Sequence, residues 1–191
     1  MKISFCILIN ILLVVSLHSQ NQWVIYTTYN SGLPSNMVGS ILIDSNNVKW
    51  ITTNDGFVKF AGNTWTVYDT TNSGLPQNMC GSVAKDKLNN IWLTTANKGF
   101  VKYNGISWII YNSFNTGMPI NNPGNIAFDG NNTKWMGGYG LFKYNDTNWV
   151  WYNDSNSGLP SNNTSSVFVK DNIVWVGTEL AGVARFDGNN W

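Results

Sequence analysis

One histidine, His18, and two cysteines, Cys6 and Cys80, are all that this chain offers to thiol or imidazole chemistry. His18 and Cys6 fall in an N-terminal stretch that reads as a leader, so the remainder has no histidine and a single thiol. A Ser-His or Cys-His couple is excluded there, and so is a histidine-ligated metal. A lone thiol cannot close an intramolecular disulfide. Carboxylate chemistry is left. Asp55 and Glu179 could face each other as a hydrolytic pair, but nothing in the sequence sets them at a working separation. The chain therefore reads as a non-enzyme with no metal and no cofactor. Eleven basic and ten acidic residues in 191 give a formal charge of +1, too little to hold a phosphate backbone, so nucleic acid is not an expected partner.

The leader is legible on its own. Lys2 supplies one positive charge, Ile3 to Leu17 is mostly apolar, and His18-Ser19-Gln20 turns polar. This is the form of a secretory signal peptide, residues 1–19, with cleavage expected after Ser19. Its apolar core of about 15 residues falls short of the ~20 that span a bilayer. A periplasmic or secreted protein without a membrane span after cleavage is the expectation.

The elements that must position any site are set by two tryptophan ladders. Trp23, Trp65, Trp108, Trp149 and Trp191 lie 42, 43, 41 and 42 residues apart, and Trp50, Trp92, Trp135 and Trp175 lie 42, 43 and 40 apart. Such a period is one supersecondary unit copied along the chain. The copies run approximately over 27–68, 69–111, 112–152 and 153–191, with 21–26 matching only the fourth strand of a unit. Each opens on a turn such as Ser31-Gly32-Leu33-Pro34-Ser35-Asn36 or Ser73-Gly74-Leu75-Pro76-Gln77-Asn78. Four short runs follow, rich in β-branched and aromatic residues and separated by Gly, Asn and Asp. In the first copy they are Ser40–Ile43, Lys49–Thr52, Phe57–Phe60 and Trp65–Tyr68. No segment after the leader carries apolar residues at helical spacing.

Four-stranded antiparallel meanders of about 42 residues, apolar on both faces, predict an all-β fold, a β-propeller of four blades. Two arrangements remain open. Residues 21–26 complete the last blade and close a four-bladed ring, or the chain is an open arc of a larger propeller. An open arc exposes an apolar sheet face, a site for self-association or for missing blades.

The unit Ser-Gly-Leu-Pro-x-Asn, a strand, Asp with an Asn-rich turn, Trp-x-x-Thr, Gly, then aromatic-x-Lys-aromatic resembles the two-component regulator propeller repeat, the periplasmic sensor region of hybrid histidine kinases. The resemblance covers nearly all of residues 22–191. It implies recognition of an extracellular ligand, often derived from glycans, with signalling passed to later domains that this chain does not contain. Family sensors have many more blades.

Most repeated residues read as structural. The inner tryptophans pack between sheets, and Trp151 is a larger wedge on an outer strand. The row Lys59, Lys102, Lys143 and Arg185 lays its stems on apolar neighbours. Asp44, Asp86 and Asp129, six residues before a ladder tryptophan, cap hairpin turns, and Cys80 stands in for Val38 as a core residue. Binding residues are expected where copies differ on a constant scaffold. The turns between second and third strands supply Asp55, Lys98, Tyr139 and Glu179, and the loops entering the first strands, on the same face, supply Asn36, Asn78, Asn121 and Asn162. The expected function is an extracytoplasmic, sensor-type binding module for a small molecule or oligosaccharide. The alternative is a structural or adhesion module of a secreted surface protein.

Overall fold

The computed structural model describes residues 23–191. The expected leader, with Cys6 and His18, lies outside the described residues. The first blade is β1 (Val38–Ile43), β2 (Lys49–Thr53), β3 (Gly56–Ala61) and β4 (Thr64–Tyr68), and the second is β5 (Cys80–Lys85), β6 (Ile91–Thr95), β7 (Gly99–Tyr103) and β8 (Trp108–Tyr111). After α1 (Ser113–Thr116), the third contains β9 (Ile126–Phe128), β10 (Lys134–Met136), β11 (Leu141–Tyr144) and β12 (Trp149–Tyr152). The last has three strands, β13 (Thr164–Lys170), β14 (Ile173–Thr178) and β15 (Gly182–Phe186). Every sheet is an antiparallel meander in chain order, and the first strands β1, β5, β9 and β13 pack in succession along the axis. The β-propeller expected from the ladders is the fold observed.

Pairing register decides which residues share a face. Leu42, Trp50 and Lys59 are cross-strand partners on one face of the first blade, and Ile41, Ile51 and Val58 are partners on the other. Trp50 and Phe57 pack against Val83, Leu93, Val101 and Tyr103 of the second blade. The same joint recurs with Trp92 and Phe100 against Met136 and Phe142, and with Trp135 and Leu141 against Val174, Val176 and Phe186. Consecutive apolar residues in one strand thus feed two different cores, which is why the runs do not alternate.

The loop that opens each unit is fixed from the far end of the same unit. A Cβ on Gly32, Gly74 or Gly158 would collide with the side chain of Trp65, Trp108 or Trp191. The outer tryptophans therefore pin the Ser-Gly-Leu-Pro loops through contacts that only glycine permits. The single helical turn α1 was not expected. It is this loop's third copy, closed by a capping box in which Asn112 and Asn115 each accept the other's backbone N–H.

Of the two arrangements open to the sequence, the structure takes the arc. Ile41 at one end is 59% exposed, and Phe168, Trp175 and Val183 at the other are 62%, 44% and 68% exposed, so the end faces do not cover each other. The N-terminal segment does not complete the last blade. β15 pairs only with β14, while Tyr26 packs edge-on against Phe60 and Trp65 of the first blade. Burial of the inner ladder accordingly holds for Trp50, Trp92 and Trp135 and fails for Trp175, which is exposed on the outer face of the last described blade.

Candidate functional site

Each of the first three blades uses its aspartate twice. One oxygen of Asp86 accepts the N–H groups of Leu88 and Asn90 at 2.9 and 2.8 Å, closing the hairpin as expected. The other accepts the indole N–H of Trp92 at 2.8 Å and the amide of Asn90 at 2.7 Å. Asp44 and Asp129 hold Trp50 and Trp135 in the same way, each at 3.0 Å. The basic row completes the unit. Lys59, Lys102 and Lys143 place their ammonium groups 5.5, 5.5 and 5.1 Å from the ring centres of those tryptophans, because the strand register sets them opposite. These lysines are spent on indole faces rather than gathered into an anion channel.

Burial pushes the Asp86 carboxyl up, but hydrogen bonds from Asn90, Trp92 and Leu88 outweigh it and hold the group below its ordinary value. Asp44 and Asp129 are lowered by the same balance. A depressed carboxyl contributes stability that is complete above the unfolded value of about 3.9 and is lost as pH falls through the folded one. The melting temperature should therefore hold down to about pH 5 and drop steeply below about pH 4. Asp86→Asn should flatten that drop, as read by tryptophan fluorescence. An acid limb unchanged by the substitution would show that Asp86 does not drive it.

The four candidate asparagines are engaged within their own loops. Asn36, Asn78, Asn121 and Asn162 each accept a backbone N–H eight residues upstream, from Thr28, Thr70, Ser113 and Asp154, at 2.7–3.0 Å. Their constancy follows from this clamp. The other four candidates sit at exposed tips. Asp55, Lys98, Tyr139 and Glu179 occupy the turns between second and third strands. Those turns are tied to the loops entering the first strands, as where Asn54 donates to Met37 O and Glu179 donates to Asn163 O. The eight candidates thus belong to one face of the arc. Among the described residues no group of three or more His, Cys, Asp or Glu side chains could hold a metal. Cys80 is buried, which pushes its thiol up to about 12.

The concavity on the axis was not read from the sequence. A cleft of about 290 Å³ lies between the inner strands of the first three blades, walled by Gly39, Ser40, Gly81, Ser82, Gly124 and Asn125, with Thr94 and Pro123. Bulges widen the first strands here, between Val38 and Ser40 and between Cys80 and Val83. The backbone N–H groups they free are caught by threonine hydroxyls, Ser40 N by Thr52 and Ser82 N by Thr94, both at 2.8 Å. Thr52 also donates to Gly81 O of the next blade. Gly39 and Gly81 leave no room for a side chain, since a Cβ would meet Gly81 O at 2.9 Å and Thr94 Oγ1 at 2.7 Å. The wall is uncharged and rich in hydroxyl, amide and peptide groups. The repeated small residues at the start of each first run (Gly39-Ser40, Gly81-Ser82, Gly124-Asn125) were the available signal. Tyr139 does not line this cleft, although the turn that carries it approaches the cleft wall where Gly138 meets Asn122, Pro123 and Gly124. The exposed ring of Tyr139 lies 6.3 Å from that of Trp151, whose N–H donates to Tyr139 O at 2.9 Å. Trp151 is thus the wedge of the outer strand, stacked on Phe142, and half of an aromatic step.

No protein-family model matches the chain, and no curated protein matches it. Solved structures do. The extracellular domain assigned to a hybrid two-component system of B. thetaiotaomicron superposes with a TM-score of 0.72 at 23% identity, over 86% of this chain and 23% of that one. A second such domain from the same organism gives 0.66 at 20% identity, over 84% and 22%. Virginiamycin B lyase from Staphylococcus aureus gives 0.60 at 15% identity, over 81% and 57%. These likenesses establish the propeller fold. The chain spans less than a quarter of the two sensor domains it resembles. No helix among the described residues is long and apolar enough to cross a membrane.

Proposed function

We propose that this chain is an extracytoplasmic binding module of the sensor type, taking a small neutral polar ligand, an oligosaccharide fragment, in the axial cleft. The observation that supports it is the cleft wall, where hydroxyl, amide and peptide groups converge without a charge. Such a wall suits sugar hydroxyls, which need hydrogen bonds in both directions, and the Tyr139–Trp151 step offers a face for sugar C–H groups. The tips Asp55, Lys98 and Glu179 form the outer rim of this reading, and the clamped asparagines shape it. Hydrolysis is not part of it, because the cleft lining contains neither a carboxylate nor an imidazole. The repeat's resemblance to sensor propellers and the two sensor domains among its structural neighbours agree with this reading.

The test is calorimetric titration of neutral oligosaccharides into the protein and into Ser82→Leu and Tyr139→Ala variants. Binding to at least one oligosaccharide is expected, abolished by Ser82→Leu and weakened about tenfold by Tyr139→Ala. Binding that ignores Ser82→Leu would move the site off the cleft, and release of reducing sugar would replace binding by catalysis.

A further inference from the structure

The turn after the third strand is built in the same way in three blades. In the second, Asn104 Oδ1 accepts the N–H groups of Ile106 and Ser107 at 2.9 and 2.8 Å. In the third, Asn145 Oδ1 accepts those of Thr147 and Asn148 at 3.1 and 2.7 Å. In the last, Asp187 Oδ1 accepts those of Asn189 and Asn190 at 2.9 and 2.8 Å. The turn therefore takes an amide or a carboxylate at its first position.

What differs is the residue that follows. Asn104 precedes Gly105, the one Asn-Gly pair in the sequence, whereas Asn145 precedes Asp146. A backbone nitrogen can attack the side-chain carbonyl of the asparagine before it, and a side chain on the attacking residue obstructs that approach. Gly105 has none, and no atom lies within 4 Å of where its Cβ would stand. Residues 104–107 are exposed to water, and Gly105 lies beyond the last ladder pair, Tyr103 with Trp108. The two N–H groups on Asn104 Oδ1 stand where negative charge collects once the carbonyl is attacked, an oxyanion site supplied by the turn itself. Asn112 and Asn153 receive paired donors too, but they precede Ser113 and Asp154. Donors and glycine coincide at Asn104.

We infer that Asn104 is a site of spontaneous deamidation, and that the second blade thereby acquires a carboxylate beside Lys102. The Gly105 nitrogen loses its proton to hydroxide and bonds to Asn104 Cγ. The Cγ–Nδ2 bond breaks and ammonia leaves, its added proton taken from water, which regenerates hydroxide. Water then opens the succinimide. Opening at Cγ restores the backbone as aspartate, and opening at the backbone carbonyl gives isoaspartate, with a main chain one carbon longer. The aspartate product has a precedent in the last blade, where Asp187 lies 3.9 Å from Arg185, two residues earlier. Lys102 holds the position of Arg185, opposite Trp92 as Arg185 is opposite Trp175. Its ammonium, 5.5 Å from the ring centre of Trp92, gains an anion that the unmodified turn does not offer. The isoaspartate product has no such precedent, because the extra carbon displaces the turn that joins β7 to β8.

Peptide mapping by mass spectrometry tests this on the whole protein, incubated folded at neutral and mildly alkaline pH in heavy-oxygen water. The same chain unfolded in guanidinium chloride is the reference. The expected result is conversion at Asn104 ahead of every other asparagine, at least about tenfold faster than at Asn145 and faster as pH rises. Conversion should be no slower folded than unfolded, because the turn supplies donors that the unfolded chain lacks. Gly105→Asp, which copies the Asn145-Asp146 pair, should leave Asn104 intact. Asn104→Asp should melt as the parent protein does, since the turn already accepts a carboxylate in the last blade. Asn104 surviving in the folded protein while it converts in the unfolded chain would overturn the inference, as would earlier conversion at another asparagine. So would continued conversion in Gly105→Asp, or a large loss of stability in Asn104→Asp.

Discussion

Trp92→Ala is expected to lower the unfolding free energy by about 4 kcal/mol, within the range for emptying a buried tryptophan site. Trp92 is 1% exposed and is locked from three sides. Asp86 takes its N–H, Lys102 and Lys134 lie over its rings, and Phe128 of the next blade packs against it at 5.8 Å. Removing the indole opens a cavity and leaves the buried Asp86 carboxylate short of a donor, so two penalties fall together. The equivalent change at Trp175 should cost under about 1 kcal/mol, because that indole is 44% exposed and has no aspartate behind it. Urea unfolding of both variants measures the contrast. Equal losses at the two positions would mean that neither the aspartate nor the neighbouring blade stabilises the ladder.

Asp146→Asn is expected to cost about 3 kcal/mol, whereas Lys134→Ile should change stability by less than about 1 kcal/mol. Lys134 is buried at the joint between the second and third blades, and both oxygens of Asp146 accept its ammonium at 2.6 Å. The lysine head is enclosed and the aspartate is 58% exposed, so withdrawing the carboxylate strands a cation in an apolar joint. Removing the cation strands nothing, and the second and last blades already place Ile91 and Val174 at that position. Asn is the right replacement because residue 146 has φ 72°, a left-handed conformation that asparagine tolerates. With Lys134→Ile as background, Asp146→Asn should become nearly silent, which a double-mutant cycle in urea reads directly. A full 3 kcal/mol loss persisting in that background would assign the effect to the turn and not to the pair.

These two positions also mark what the sequence could and could not reveal. The tryptophan period was enough to place four blades, because each blade must bury the same face against the next. The constant spacing of aspartate and tryptophan was visible too, but only the hairpin half of its role was read. Its absence before Trp175 was the sign that this indole is held differently. Asp146 had a sign as well, standing where the other copies have Gly62, Gly105 and Gly188, all with positive φ. An aspartate in a glycine position accepts a strained backbone in return for a contact, here the ion pair. The asparagines repeated in every copy each clamp their own loop through Oδ1, and constancy across blades reflects a shared loop as readily as a shared ligand. The axial cleft is made by close approach of separate strands, and single-copy motifs do not report distances between blades.

Glycine-to-indole contacts in three units, and the Trp149 N–H donated to Thr116 O in the third copy, bind each opening loop to a residue some thirty positions later in the same unit. Nearly all the contacts a blade needs are therefore made within itself or with an adjacent blade, and no distant stretch has to be found first. A polypeptide of this kind can acquire structure progressively from one end, each finished sheet serving as the template on which its neighbour condenses.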